Sequence, residues 1–113
     1  MSYDHRAIEA KWQDRWESQG VFHTIEDSTR PKFYNVAMYP YPSGELHIGH
    51  VRNYTYIDLI TRYKTMQGFN VLSPMGWDSF GLPAENLAIE TGVHPRVSVE
   101  AQITKMKEHF RKL

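Results

Sequence analysis

One stretch of the sequence constrains the fold more than any other, because it separates a β-prone run from a long helical pattern. It reads Pro-Tyr-Pro-Ser-Gly-Glu-Leu-His-Ile-Gly-His at residues 40–50. The run before it, residues 33–38, is nearly continuous in apolar residues, as in strands covered on both faces. The pattern after it, residues 48–67, is helical. Strand, tight loop and helix in this order place the loop beyond the carboxyl end of a strand, where α/β folds bind ligands.

Two histidines mark the start of the predicted helix. His47 and His50 are three residues apart, so both lie on one side of the first turn, beside its unpaired N–H groups and the positive end of its dipole. Gly49 between them carries no side chain, so a flat group such as a purine can approach the backbone. A helix start with two imidazole donors favours a triphosphate. The rival interpretations are two ordinary helix-start histidines, or zinc, which the spacing and the lack of cysteine disfavour.

The first helix is predicted from residue 3 to residue 19, with Asp4 as its cap and Gly20 as its stop. Its tryptophans recur at a spacing of four, which predicts that they pack on a core. Residues 70–73 form a short candidate second strand. Together with residues 33–38 and 48–67 it makes a βαβ unit, whose strands should be parallel.

Apolar side chains occupy about half the circumference of the helix predicted at residues 48–67, which indicates an amphipathic helix lying on a sheet. They are Tyr56, Ile57, Leu59, Ile60, Tyr63 and Met66. Two more helices are predicted, one beginning at Pro83 and one capped by Ser98.

A doubly wound fold needs about five strands, and the sequence offers two. We therefore expect an α/β fold, a partial Rossmann-like domain with about two parallel strands and four helices. Residues 1–113 are expected to be one incomplete domain, with an unprotected sheet edge and one face of the 48–67 helix open to solvent.

The composition limits the partners. Thirteen basic and thirteen acidic residues cancel, so this stretch has no electrostatic footprint for gripping RNA alone. Cysteine is absent, which excludes disulfides and thiolate metal sites. No run approaches the roughly 18 apolar residues of a membrane span, so we expect no membrane partner and a cytoplasmic location.

Two motifs carry a resemblance to a known family. His-Ile-Gly-His preceded by Pro-Tyr-Pro-Ser-Gly resembles the nucleotide-binding signature of class I aminoacyl-tRNA synthetases. The stretch Met-Gly-Trp-Asp-Ser-Phe-Gly-Leu-Pro-Ala-Glu-Asn at residues 75–86 narrows the resemblance to the leucyl branch. Isoleucine and valine relatives usually carry a histidine near Phe80. Asn53 and Tyr54 also fit the leucyl version, and the similarity covers nearly the whole chain.

The resemblance implies an activity, with leucine and ATP giving leucyl-adenylate and the leucyl group then passing to tRNA(Leu). It implies Mg²⁺ as the counter-ion of ATP. The family's second signature, Lys-Met-Ser-Lys-Ser, is absent. The chain is therefore expected to be an N-terminal part of the catalytic domain, with tRNA bound through other regions and the remainder of the synthetase as a possible partner.

The resemblance also implies roles for particular residues. His47 and His50 would be catalytic, contacting the ATP phosphates as charge develops on them, and Gly49 and Asn53 would complete the ATP site. Asp78 would bind the α-ammonium group of leucine, and no residue is predicted to bind a metal.

The rest of the leucine pocket would be formed at the end of the first strand. The resemblance implies that Tyr39 and Tyr41 form the floor and wall of this pocket. It also implies that backbone atoms of Met38 help to hold the amino acid. Core packing is the rival interpretation of these three residues.

Two alternatives to an active enzyme remain open from the sequence. The chain could bind ATP, or only its adenine, without turnover. It could also be a structural subunit that docks on a chain carrying the rest of the fold.

Overall fold

The computed structural model describes residues 3–26 and 29–113. The elements in chain order are α1 (His5–Gln19), β1 (Lys32–Tyr34), α2 (Ile48–Met66), β2 (Asn70–Leu72), α3 (Leu82–Thr91) and α4 (Pro95–Phe110). The two strands pair in parallel, with Phe33 opposite Val71. The predicted α/β class is confirmed, with a βαβ unit, two parallel strands and four helices in the described part of the chain.

Helix α1 has the predicted cap and stop but begins at His5 rather than at residue 3, and it lacks the predicted packing. Asp4 Oδ1 accepts a hydrogen bond from the N–H of Ala7 at 3.2 Å, and Gly20 ends the helix with a φ of 58°. No residue of α1 is buried, and Trp12 is 39% exposed. The prediction that this helix packs its tryptophans on a core is therefore wrong. Trp16 is instead half-buried under the guanidinium of Arg62, 4.3 Å from its ring centre.

Strand β1 ends four residues earlier than predicted, at Tyr34 rather than at residue 38. The N–H of Asn35 still donates to the carbonyl oxygen of Leu72 at 3.0 Å. Strand β2 ends at Leu72 and is followed by Ser73 and Pro74. Proline has no N–H to continue the ladder. Residues 36–38 thus lie beyond the sheet and lead directly into the loop.

A polar cluster holds α2 over the sheet. The side-chain amide of buried Asn35 donates to the carbonyl oxygen of Ile57 and to Thr61 Oγ1, both at 3.0 Å. Thr61 Oγ1 in turn donates to Ser73 Oγ at 3.1 Å. Because a buried amide without partners is costly, these bonds fix which face of α2 meets the strands.

The apolar half of α2 consequently faces away from the strands. Five of the six apolar residues assigned to the sheet-facing side are exposed, namely Tyr56, Leu59, Ile60, Tyr63 and Met66. Ile57 is half-buried. The apolar face of the helix is open to solvent, as expected for a partial sheet, whereas the prediction that this face lies on the sheet is wrong. Hydrophobic periodicity alone could not reveal that the polar side of the helix faces the sheet, because that orientation depends on the hydrogen bonds of Asn35.

One edge of β2 is covered by the segment that precedes β1. The Asn70 side chain accepts from the N–H of Ile25 at 3.1 Å and donates to its carbonyl oxygen at 2.6 Å. Thr24 Oγ1 donates to the carbonyl oxygen of Val71 at 2.8 Å. Within residues 3–26 and 29–113 the sheet has two strands, so the far edge of β1 has no strand beside it. The expected unprotected edge is therefore confirmed for the described residues.

Helices α3 and α4 pack against each other beyond the sheet. Pro83 lies in the first turn of α3, as predicted. Helix α4 begins at Pro95 with His94 as its cap, so the predicted cap at Ser98 is wrong. Because proline pre-sets the backbone angle of a first helical residue, Pro95 fixes the start. None of the described helices is both long and apolar enough to cross a membrane.

Candidate functional site

The loop between β1 and α2 is anchored rather than free. Pro40 and Pro42 are buried, while Tyr41 between them is 52% exposed. The carboxylate of Glu45 pairs with the ammonium group of Lys105 on α4. The loop therefore has a fixed path from the end of β1 to the start of α2.

His47 and His50 cap the start of α2 reciprocally. The N–H of Gly49 donates to His47 Nδ1 at 3.2 Å, and the N–H of His47 donates to His50 Nδ1 at 3.2 Å. The two ring centres are 4.0 Å apart. Because each Nδ1 accepts a hydrogen bond, each neutral ring carries its proton on Nε2. The site thus offers two imidazole N–H donors beside the positive end of a helix dipole.

The backbone N–H groups of this first turn are less available than expected from the sequence. The Gly49 N–H is taken by His47 Nδ1, and the His50 N–H donates to the carbonyl oxygen of His47 at 2.8 Å. An anion bound here would therefore depend on the two Nε2 donors and the helix dipole more than on free amide groups.

The protonation of His50 follows from its surroundings. Partial burial, and secondarily the charge of His47, lower the pKa of His50 from its ordinary 6.5. Both effects favour the neutral ring near pH 7. The neutral ring is also the form that can accept a hydrogen bond at Nδ1, so the capping hydrogen bond and the lowered pKa both favour the neutral form of His50.

Gly49 is required by the His47 ring. A Cβ at residue 49 would lie 3.0 Å from both Cε1 and Nδ1 of His47. A side chain there would require the ring to shift by a few tenths of an ångström from its capping position. The approach of a purine over Gly49 stays a prediction.

Tyr54 links the histidines to the segment that follows β1, and sequence reasoning gave it no role. Its buried hydroxyl donates to the carbonyl oxygen of Met38 at 2.9 Å. Its ring stacks on His50, with 6.0 Å between centres and 10° between planes. Burial raises the pKa of Tyr54, so the phenol stays a donor. The spacing of four residues from His50 was the available signal, since such residues are neighbours on a helix.

The loop before α3 meets the first loop directly. The N–H of Asp78 donates to the carbonyl oxygen of Pro40 at 3.0 Å. The ring of Tyr39 lies against Gly76, where an added Cβ would be 3.1 Å from Tyr39 Cε2. The two sequence motifs therefore form one continuous surface. The side chain of Asp78 is exposed on it.

The remaining predicted site residues are placed less tightly. The Met38 side chain is 83% exposed, so the part of Met38 that is fixed is its carbonyl group. Asn53 is exposed on α2. In the part of the chain that the structure describes, no hydrogen bond or ring contact joins Asn53 or Tyr41 to another predicted site residue. Their roles stay predictions.

The described residues contain no group of three or more His, Asp or Glu side chains that could hold a metal ion. A cavity of about 440 Å³ lies behind Tyr54, between α2 and the end of α4. Ile57, Met75 and Phe110 contribute to its lining, and neither capping histidine does.

Comparison with known proteins places this chain in a family. Residues 11–112 match the model of the family described as tRNA synthetases class I (I, L, M and V). The chain is 55% identical over 113 residues to a leucine–tRNA ligase of Nitratidesulfovibrio vulgaris (strain Miyazaki F), covering all of this chain and 14% of that protein. It is 56% identical over 109 residues to a leucine–tRNA ligase of Rhodospirillum rubrum, covering 96% of this chain and 13% of that protein.

A solved structure is similar as well. It is the ternary complex of the Agrobacterium radiobacter K84 agnB2 LeuRS with tRNA and LeuAMS, with a TM-score of 0.90 and 47% identity. The match covers 97% of this chain and 14% of that one. The chain thus spans about one seventh of the length of these relatives. With the family model matching nearly all of it, the chain belongs to the class I tRNA synthetases of the I, L, M and V group.

Proposed function

We propose that the protein activates leucine with ATP and charges tRNA(Leu), and that this chain supplies an N-terminal part of the catalytic domain. In the first step a leucine carboxylate oxygen attacks the α-phosphorus of ATP. A carboxyl–phosphate bond forms, the bond between the α-phosphorus and the bridging oxygen breaks, and pyrophosphate leaves. The leucyl group of the adenylate then passes to the terminal ribose of the tRNA.

The observation that carries this proposal is the junction between the two loops. The bond from the Asp78 N–H to the Pro40 carbonyl oxygen joins the histidine-bearing motif to the motif that carries the aspartate. A reaction between an amino acid and a nucleotide needs both held side by side, since orientation removes much of the barrier. Similarity to leucine–tRNA ligases over the whole chain supports the same choice.

The histidines suit the phosphate side. Their Nε2–H groups are set by the reciprocal caps of His47 and His50. Donors fixed before the reaction stabilise negative charge as it develops on the phosphates, each by a few kcal/mol at most, about 3–4 in strong cases. Gly49 leaves room for the His47 ring, and Asn53 would contribute a side-chain amide to the nucleotide.

The other loop suits leucine. The exposed carboxylate of Asp78 would receive the α-ammonium group through a charge-assisted hydrogen bond. The Met38 carbonyl oxygen, which already accepts from Tyr54, keeps a second lone pair for the same ammonium group. Tyr39 and Tyr41 would supply an apolar wall with polar ends.

Mg²⁺ would enter with ATP. It prefers oxygen ligands and is commonly held by substrate phosphates. The donors nearest the proposed phosphate site, His47 and His50, are imidazoles, so phosphate oxygens and water would hold the ion. Its part is to neutralise phosphate charge.

The remaining partners follow from the length of the relatives. This chain corresponds to 14% of them, and its formal net charge is zero. We therefore place the tRNA contacts in other parts of the full-length protein, with which this chain would pack. A protein with this function would work in the cytoplasm, beside its tRNA.

Exchange of labelled pyrophosphate into ATP by the full-length protein, measured with each amino acid in turn, tests the proposal. We expect leucine to support exchange far better than isoleucine or valine. Exchange with another amino acid would contradict the assignment. ATP binding without exchange would instead favour a binding module, and the absence of both would favour a structural subunit.

A further inference from the structure

We propose that Tyr54 is a positioning residue that couples the two halves of the site, its hydroxyl acting on the leucine side and its ring on the phosphate side. The inference rests on the function proposed above. Tyr54 is 8% exposed, so both of its contacts are held in a fixed place. We assign it no contact with either substrate, and it acts through Met38 and His50.

The hydroxyl fixes a carbonyl group that the sheet does not. The hydrogen-bonded ladder ends at Asn35 and Leu72, three residues before Met38. Packing of the Met38 side chain does not hold it either, since that side chain is 83% exposed. The 2.9 Å bond from the Tyr54 hydroxyl therefore sets where the Met38 carbonyl oxygen points. That oxygen is the backbone atom proposed to meet the leucine ammonium group.

The ring fixes an imidazole. One face of Tyr54 lies nearly parallel to His50, with 10° between the planes. The Tyr54 ring is itself held by an edge contact from Phe110, with 5.1 Å between centres and 73° between planes. Together with the cap on His50 Nδ1, this stacking limits rotation of the imidazole and hence the direction of its Nε2–H. A misdirected donor would lose its interaction in the transition state more than in the ground state.

Two substitutions separate these contributions. Tyr54→Phe keeps the ring and removes the hydroxyl, whereas Tyr54→Leu removes both. In the full-length protein, we expect Tyr54→Phe to raise the KM for leucine about five- to tenfold, with the KM for ATP and kcat within about twofold. Tyr54→Leu should raise the leucine KM similarly and also lower kcat by at least about tenfold.

Tyr56 provides a matched control on the same helix. It is 55% exposed and lies two residues away on the opposite face. Tyr56→Phe and Tyr56→Leu should leave both KM values and kcat unchanged. A purely structural role for Tyr54 would lower the apparent kcat through loss of active protein and leave both KM values unchanged.

The proposal is overturned if Tyr54→Phe leaves the leucine KM unchanged, or if it shifts the KM values of leucine and ATP equally. If Tyr54→Leu fails to fold, the result for Tyr54→Phe alone decides the test.

Should the wild type show no leucine-dependent exchange, the proposed function fails separately, and NMR of ¹³C-labelled histidine then tests the positioning. Tyr54→Leu should raise the pKa of His50 towards its ordinary 6.5 by opening one ring face to water, and Tyr54→Phe should not. Identical His50 titrations in all three proteins would overturn the proposal.

Discussion

The backbone N–H of Asp78 donates to the carbonyl oxygen of Pro40 at 3.0 Å, so two residues 38 positions apart in the sequence join the two motifs. Pro40 is buried, and it fixes one side of this contact. Because the bond uses backbone atoms, it leaves the Asp78 carboxylate free for a ligand. Side-chain substitutions at Asp78 therefore test ligand binding without removing the junction itself.

Asp78→Asn should act mainly on leucine. The amide keeps the size of the side chain but replaces a charged acceptor with a weaker neutral one, at a cost of about 1–3 kcal/mol. The KM for leucine in pyrophosphate exchange should rise by about five- to 150-fold. Asp58→Asn is the matched control, since Asp58 pairs with Arg62 on α2 at 2.6 Å. An unchanged leucine KM for Asp78→Asn would remove Asp78 from the binding site.

His47→Ala and His94→Ala form a second matched pair. Each histidine is an N-cap whose Nδ1 accepts from a backbone N–H two residues on, at 3.2 Å in both cases. Each substitution should therefore cost a similar amount of stability, about 1 kcal/mol. Only His47→Ala should also lower the exchange rate, by at least about tenfold, because it removes a phosphate donor. Thermal unfolding and exchange assays on both variants test this. Equal losses of activity would show that His47 acts only as a helix cap.

Gly49→Ala should lower activity although alanine favours helices by about 1 kcal/mol over glycine. The new methyl group would lie 3.0 Å from the His47 ring, which would have to shift by a few tenths of an ångström and redirect its Nε2–H. Gly44→Ala is the control, since a Cβ there meets nothing within 4 Å. We expect slower pyrophosphate exchange for Gly49→Ala and an unchanged exchange rate for Gly44→Ala. Full activity in both variants would show that the His47 ring position does not matter.

Stability should depend on pH through His50. Its pKa in the folded chain is lowered from 6.5, so near that pH the unfolded chain binds more protons than the folded one. Stability should therefore rise with pH across this window and be lost as the pH falls through the lowered value. His50→Gln can keep the capping box without titrating. Thermal unfolding between about pH 5 and 8, a range that spans the ordinary histidine pKa of about 6.5, should show a steeper loss of stability at acid pH for the wild type than for His50→Gln. Parallel profiles would contradict the assignment.

Caps and motifs are features that the sequence predicts well, because they depend on neighbouring residues. Asp4 and Gly20 end α1 as expected, and His47 and His50 lie side by side at the start of α2. The reciprocal use of their Nδ1 atoms was not foreseen, since imidazole is an uncommon cap. His94 was missed as the cap of α4 for the same reason.

Properties set by distant contacts were not predictable in this way. The orientation of α2 depends on Asn35 and Thr61, whose hydrogen bonds cross from strand to helix. The hydrogen bond of the Tyr54 hydroxyl is accepted by the carbonyl oxygen of Met38, 16 residues earlier. Hydrophobic periodicity contains no information about either contact.

The proposal that one loop acts on the ATP phosphates and the other binds leucine is tested most directly by His50→Ala in the full-length protein. Leucine-dependent pyrophosphate exchange should be measured for wild type and variant over ranges of leucine and ATP. If the Nε2–H of His50 stabilises developing phosphate charge, kcat should fall at least about tenfold while the KM for leucine stays within about twofold. A leucine KM that rises as much as kcat falls, or an unchanged kcat, would contradict the assignment of His50 to the transition state.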